Sequence, residues 1–211
     1  MNYEVRIMNY GNRMRFEWFG CDILQVFTMK KATEKKAVVV IDMLEDFIYG
    51  ALKNERSQRI IPHIQTLLEH ARKNGWLVIY ANDAHLPGDP EEKVWGAHAI
   101  AGTPGAQVIK DLQPKTGDIE LPKRTYSAFH ETGLDLLLRQ HDVDTVIITG
   151  QHTHICVRHT SADAFTKRYN IIIPEDAVES FTDEDHQGGL KYLTMCYGAE
   201  IVKTEDLMKK R

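Results

Sequence analysis

The chain has 211 residues, 43% of them hydrophobic and 27% charged, with a formal net charge of -4. That length lets one ordinary domain bury roughly 70 per cent of the surface its unfolded form exposes. The absence of a basic stripe excludes a nucleic-acid surface, the ordinary composition excludes an acidic disordered protein, and no apolar run approaches the ~18 residues of a membrane span.

Residues 1–34 contain Phe16, Trp18, Phe19 and an apolar run at 23–27, without the charged, apolar and cleavage regions of a secretory leader. They read as an N-terminal extension of unknown role, with Met29 as an alternative start, ahead of a single domain at 35–211. The three cysteines, Cys21, Cys156 and Cys196, are too scattered for a disulfide framework or a C-x-x-C zinc site. Cys196 reads as a buried, inert thiol, and the chain as cytoplasmic.

From residue 35 onward, short apolar runs alternate with amphipathic stretches. Strands are expected at 37–41 (AVVVI), 77–81 (LVIYA), 145–149 (TVIIT), 171–173 and 201–202. Continuous rather than alternating apolar runs suit strands covered on both faces. Between the first two strands, Ile60, Ile61, Ile64, Leu67, Leu68 and Ala71 fall at helical spacing, so 57–74 is a helix that Gly75 ends. Further helices are expected at 133–141, 156–168 and 183–197, the last opened by a Thr182/Asp185 cap. This alternation builds an α/β fold, three layers with a mostly parallel sheet of about six strands between helices. The stretch 82–122 carries five of the seven prolines and reads as a long functional loop.

Ligands in such sheets bind beyond the carboxyl ends of the strands, which selects the loops to read. Asp42 directly follows the first strand; partial burial there raises a carboxylate's pKa and suits it to proton transfer. Asp83 and His85, two apart on an extended segment, point to one side, and His98 follows thirteen residues on. One carboxylate and two imidazoles with open positions describe a catalytic divalent metal site. Lys123 ends an extended segment. Cys156 opens a helix after the strand at 145–149, where unpaired amides and the helix dipole lower a thiol's pKa and can hold an oxyanion. No Gly-x-Gly-x-x-Gly or P-loop lysine motif is present.

The segments VVVIDMLEDF, NDAH, WGAHAIAGTPGA, PKRTYSAF and TGQHTHICVRHTSADA, in that order, resemble the isochorismatase-like cysteine hydrolases, most closely their nicotinamidase branch. The likeness runs from about residue 35 to 203. It implies a hydrolase that cleaves the C–N bond of a small amide, nicotinamide or a related primary amide, through a cysteine thioester and releases ammonia, with Asp42, Lys123 and Cys156 as catalytic triad. It further implies an oxyanion hole from the backbone N–H groups of His152 and Cys156, with a cis peptide at Gln151–His152. Asp83, His85 and His98 match the family's ligands for a divalent metal ion, zinc first, with iron or manganese as alternatives. Phe47, Trp95, Tyr126 and Phe129 match walls of the substrate pocket. The expected partners are a small amide and further copies of the chain, as a dimer or tetramer, with neither nucleic acid nor membrane. His152 stands where relatives often have a smaller residue, so its imidazole reshapes the pocket; His154 and His159 have no assigned role. Two alternatives stand beside this reading: a vinyl-ether hydrolase of the isochorismatase type, and a non-catalytic binding or assembly member of the family.

Overall fold

The structure is a computed structural model that describes residues 6–10, 13–17 and 35–209. The chain divides into two compact units, Met1–Glu34 and Lys35–Arg211. In the first, strands β1 (Arg6–Tyr10) and β2 (Arg13–Glu17) pair antiparallel, with Arg6 opposite Glu17. No element was expected there from the sequence, and Cys21 and the apolar run at 23–27 lie outside the described residues.

The second unit runs β3 (Lys36–Ile41), α1 (Glu45–Ile48), α2 (Ile61–Lys73), β4 (Leu77–Asp83), α3 (Glu92–Trp95), β5 (Ile119–Lys123) and α4 (Leu134–Gln140). It continues with β6 (Thr145–Gln151), α5 (Cys156–Thr166), β7 (Asn170–Pro174), β8 (Val178–Glu179), α6 (Asp183–Tyr197), β9 (Glu200–Val202) and α7 (Thr204–Lys209). The strands form one parallel sheet in the order β5-β4-β3-β6-β7-β9, with β8 paired to the end of β6.

Side chains of β3 alternate between two cores, as strand geometry requires. Ala37, Val39 and Ile41 pack with Leu134 and Leu138 of α4, Val157 and Ala164 of α5, and Leu190 and Leu193 of α6. Val38 and Val40 face the other way, onto Ile64, Leu67 and Leu68 of α2 and Leu207 of α7. Burial on both faces explains why these strands read as unbroken apolar runs, and it makes the fold the expected three-layer α/β arrangement.

Several boundaries differ from expectation, each for a physical reason. The stretch 82–122 is not wholly irregular: β4 continues to Asp83, and the stretch also holds α3 and β5. β5 is an edge strand that tolerates Pro122 and whose burial alternates, so no apolar run marks it. The helix expected at 57–74 is a 3-10 turn (Glu55–Ile60) followed by α2, whose first turn holds Pro62. Cys196 is exposed rather than buried. His186, Gly189, Leu190 and Leu193 form the inward stripe of α6, and Cys196 falls off it. The expected cap of that helix is present, the Asp185 N–H donating to Thr182 Oγ1 at 3.0 Å. Among the described residues no helix is long and apolar enough to cross a membrane.

Candidate active site

The strand order brings four carboxyl ends side by side: Lys123 on β5, Asp83 on β4, Asp42 after β3, and the Gln151–Cys156 turn after β6. Between β3 and β6 the direction of winding reverses, which opens a crevice at the ends of those two strands. Gly150 lets them approach. Its φ is +102°, and a Cβ there would lie 2.0 Å from the Ile41 carbonyl oxygen. Asp42 has φ +53°, a left-handed conformation that neighbours hold in place. Its N–H donates to Asn82 Oδ1 at 3.0 Å, and its carbonyl accepts from Gln151 Nε2 at 3.0 Å.

Lys123 sits at the centre of the crevice with its side chain fully buried. Its Nζ lies 2.9 Å from Asp42 Oδ2, 2.5 Å from Asp83 Oδ1 and 3.8 Å from Cys156 Sγ. One oxygen each of Asp42 and Asp83 and the Cys156 sulfur lie within 4.8 Å of one another. Asp42 Oδ1 accepts the Asp83 N–H at 2.8 Å, while Oδ2 has no hydrogen bond despite its ion pair with Lys123, which leaves it a lone pair for a proton.

Burial, and secondarily the charge of Asp83, raises the Asp42 carboxyl to about 6. Burial also pushes the Cys156 thiol well up, aided by the two carboxylates and opposed by Lys123. The lowered thiol pKa expected from the helix N-terminus is thereby corrected. Desolvation in this crevice outweighs the dipole and the lysine, which favours the thiol over the thiolate. The Gln151–His152 peptide is cis, and no acceptor among the described residues takes the N–H of His152 or of Cys156.

Beside the lysine lies a second cluster. Asp83, His85, Glu91 and His98 are all buried, and one ligand atom from each lies within 4.8 Å of the others. Chain pairing brings them together. The His85 N–H donates to the Ala99 carbonyl, and the Ala101 N–H returns a bond to His85, each at 2.9 Å, so the His98 loop lies along the His85 segment. Asp83 Oδ2, both ring nitrogens of His85 and Glu91 Oε1 are buried without a hydrogen-bond partner. Buried polar atoms are rarely left so, and this donor set fits a divalent cation. His98 Nδ1 lies 2.8 Å from the Gly96 carbonyl, which leaves Nε2 for a ligand, and His85 Nδ1 faces Asp89 at 3.6 Å. Glu91 was not singled out in the sequence. It lies in the Pro90-Glu91-Glu92 run, where nothing in the spacing separates it from its neighbour. Burial, and then the charge of Asp83, raises it to about 7.

A narrow pocket opens onto Cys156, walled by Phe47, Leu52, Trp95, Tyr126, Ile155 and Phe181. Three of the four expected aromatics therefore line it. Phe129 does not: it stacks on Tyr169 at 5.9 Å within the core. Phe181 was missed because it lies after β8, remote in sequence from the segments that carry the family resemblance. His154 and His159 are tied to Ser180 Oγ and the Ile155 carbonyl, at 3.0 and 2.8 Å, outside this pocket.

Solved structures share this arrangement of the chain. N-carbamoylsarcosine amidase from Thermoplasma acidophilum superposes with a TM-score of 0.77 at 40% identity, covering 81% of this chain and 97% of that one. Nicotinamidase/pyrazinamidase PncA from Bacillus subtilis gives 0.76 at 33%, covering 80% and 100%. Pyrazinamidase of Pyrococcus horikoshii, in complex with zinc, gives 0.75 at 28%, covering 80% and 99%. The family model described as the isochorismatase domain matches residues 36–206. The chain thus belongs to the isochorismatase family, within the isochorismatase-like hydrolases.

Proposed function

We propose that the chain is a cysteine-dependent amidohydrolase that cleaves the C–N bond of a small primary amide and releases ammonia. The observation that carries this reading is the single buried ammonium of Lys123, set within reach of Asp42, Asp83 and the Cys156 sulfur. A thiol held protonated needs a base, and Asp42, raised to about 6, is the group positioned to serve. Asp42 takes the thiol proton, and Lys123 balances the thiolate as it forms. The sulfur adds to the amide carbonyl carbon, and the backbone N–H groups of His152 and Cys156 receive the oxyanion. The C–N bond then breaks, with the proton on Asp42 passing to the leaving nitrogen. Water, deprotonated by Asp42, hydrolyses the thioester to the acid and restores the thiol.

Asp83, His85, Glu91 and His98 would hold a divalent ion, zinc being the one in the Pyrococcus relative's structure. Bound there, the ion would act as a Lewis acid that binds a donor atom of the substrate and fixes it in the pocket. Phe47, Trp95 and Tyr126 wall the substrate. Relatives named for nicotinamide and for N-carbamoylsarcosine both act on small amides, which bounds the class. A vinyl-ether hydrolase would have no use for a thiol paired with a buried lysine.

Ammonia release from a panel of small amides, with metal content measured, tests the proposal. Wild type is expected to turn over at least one amide, and Cys156→Ala none. A metal-loaded wild type silent on every amide, or a Cys156→Ala protein as active as wild type, would sink it.

A further inference from the structure

His152 carries an imidazole that the chemistry above leaves unused. Only its backbone has a place in the proposed mechanism. The side chain is 3% exposed, lines the pocket beside Cys156, and has neither Nδ1 nor Nε2 hydrogen-bonded. A buried ring with both nitrogens unpaired is rare in native proteins unless a ligand or water completes it. The ring is also held in place. It stacks on Phe181 with centroids 3.8 Å apart and planes at 26°, and Phe181 in turn stacks on Trp95 at 5.8 Å. Phe47 packs edge-on against both His152 and His98, at 6.1 and 5.5 Å. One aromatic wall thus separates an imidazole of the metal-ligand cluster from one that belongs to no cluster.

We propose that the His152 imidazole selects the substrate, by donating a hydrogen bond to an oxygen that the substrate carries apart from its scissile amide. The favoured class is a small primary amide bearing a carboxylate, carbonyl or hydroxyl group, as in an N-carbamoyl amino acid, over an aromatic amide with no such oxygen. This rests on the amidohydrolase reading for the reaction, but not for the binding. Burial keeps the ring neutral, with its pKa lowered to about 3. It therefore offers one N–H and one bare nitrogen, and the N–H is the group a carboxylate or carbonyl oxygen satisfies. An apolar pocket alone discriminates weakly between amides of similar size. A buried polar group that only the right substrate can pair discriminates far more strongly.

Two probes and two variants test the inference: N-carbamoylglycine and nicotinamide, against wild type, His152→Leu and His152→Asn. Within each protein the ratio of the two kcat/KM values is the readout, so a general loss of activity or of folded protein cancels. His152→Leu is expected to shift that ratio against N-carbamoylglycine by about tenfold or more, the loss of one hydrogen bond to a charged group. His152→Asn, which keeps a donor, is expected to recover part of it. An unchanged ratio in His152→Leu, or His152→Asn behaving as His152→Leu does, would overturn the proposal. Calorimetric binding of both probes to Cys156→Ala, with and without His152→Leu, separates this inference from the reaction itself. If wild type hydrolyses neither probe, a His152-dependent preference in binding still supports the inference, and its absence overturns it.

Discussion

Replacing Lys123 by methionine keeps most of the side-chain volume and removes the one ammonium between two buried carboxylates. At 2.9 and 2.5 Å from Asp42 and Asp83, each attraction is worth roughly 6 kcal/mol at an effective dielectric near 20. Burying all three charges offsets most of that gain, and breaking a buried pair by deleting one partner costs about 3–5 kcal/mol net. A chain of this size loses about 2–4 °C of melting temperature per kcal/mol, so Lys123→Met should melt roughly 6–20 °C below wild type near pH 7. The deficit should also depend on pH. Without the ammonium, burial and mutual repulsion raise the folded pKa of Asp42 and Asp83 above their unfolded value of about 3.9. The folded variant then binds more protons than the unfolded chain across that interval, so its stability rises as pH falls, and the deficit narrows toward about pH 5. Thermal melts of both proteins across that range, with a chelator present, check this. The chelator matters because a divalent ion on Asp83 would replace part of the lost charge. A variant that melts within about 2 °C of wild type near neutrality, or a deficit that does not change with pH, would refute the reasoning.

Three further outcomes follow from the geometry. The proposed mechanism needs Asp42 ionised as base, and its carboxyl is raised to about 6, so kcat/KM should rise about tenfold per pH unit below that value and level off above it; a rate profile flat from about pH 5 to 8 would remove Asp42 from that role. Gly150→Ala places a Cβ 2.0 Å from the Ile41 carbonyl oxygen at a φ of +102°, so denaturant titration should show a loss above about 4 kcal/mol, and a loss under about 1 kcal/mol would contradict the strand contact. Phe129→Ala should cost about 3–5 kcal/mol while leaving KM unchanged, whereas Trp95→Ala should raise KM with little change in melting temperature; the opposite pattern in steady-state kinetics and melts would return Phe129 to the pocket.

Much of the fold is legible in the chain because β3 and β6 are buried on both faces, and such strands write their position as unbroken apolar runs. The edge strand β5 escapes that signal, since it carries Pro122 and buries alternate residues. The site shows the same division. Asp42, Asp83 and His85 declare themselves because each ends or follows an extended segment, whereas Lys123, on β5, is marked only by the family resemblance. Glu91 and Phe181 do not, because nothing in their neighbourhood distinguishes them before the chain folds.

By itself the sequence determined the alternation of strand and helix, the residues at the carboxyl ends of the strands, and the family resemblance they carry. Only the tertiary structure decided the protonation chemistry. Whether Cys156 rests as thiol or thiolate depends on how much water reaches it and on which charges stand within a few ångströms, and those are sums over β3, β4, β5 and β6. A helix N-terminus read alone favours the thiolate, but the closed crevice favours the thiol and raises Asp42 toward the pKa of a base. Burial sets that balance, and burial is a property of the packed sheet, not of any segment within it.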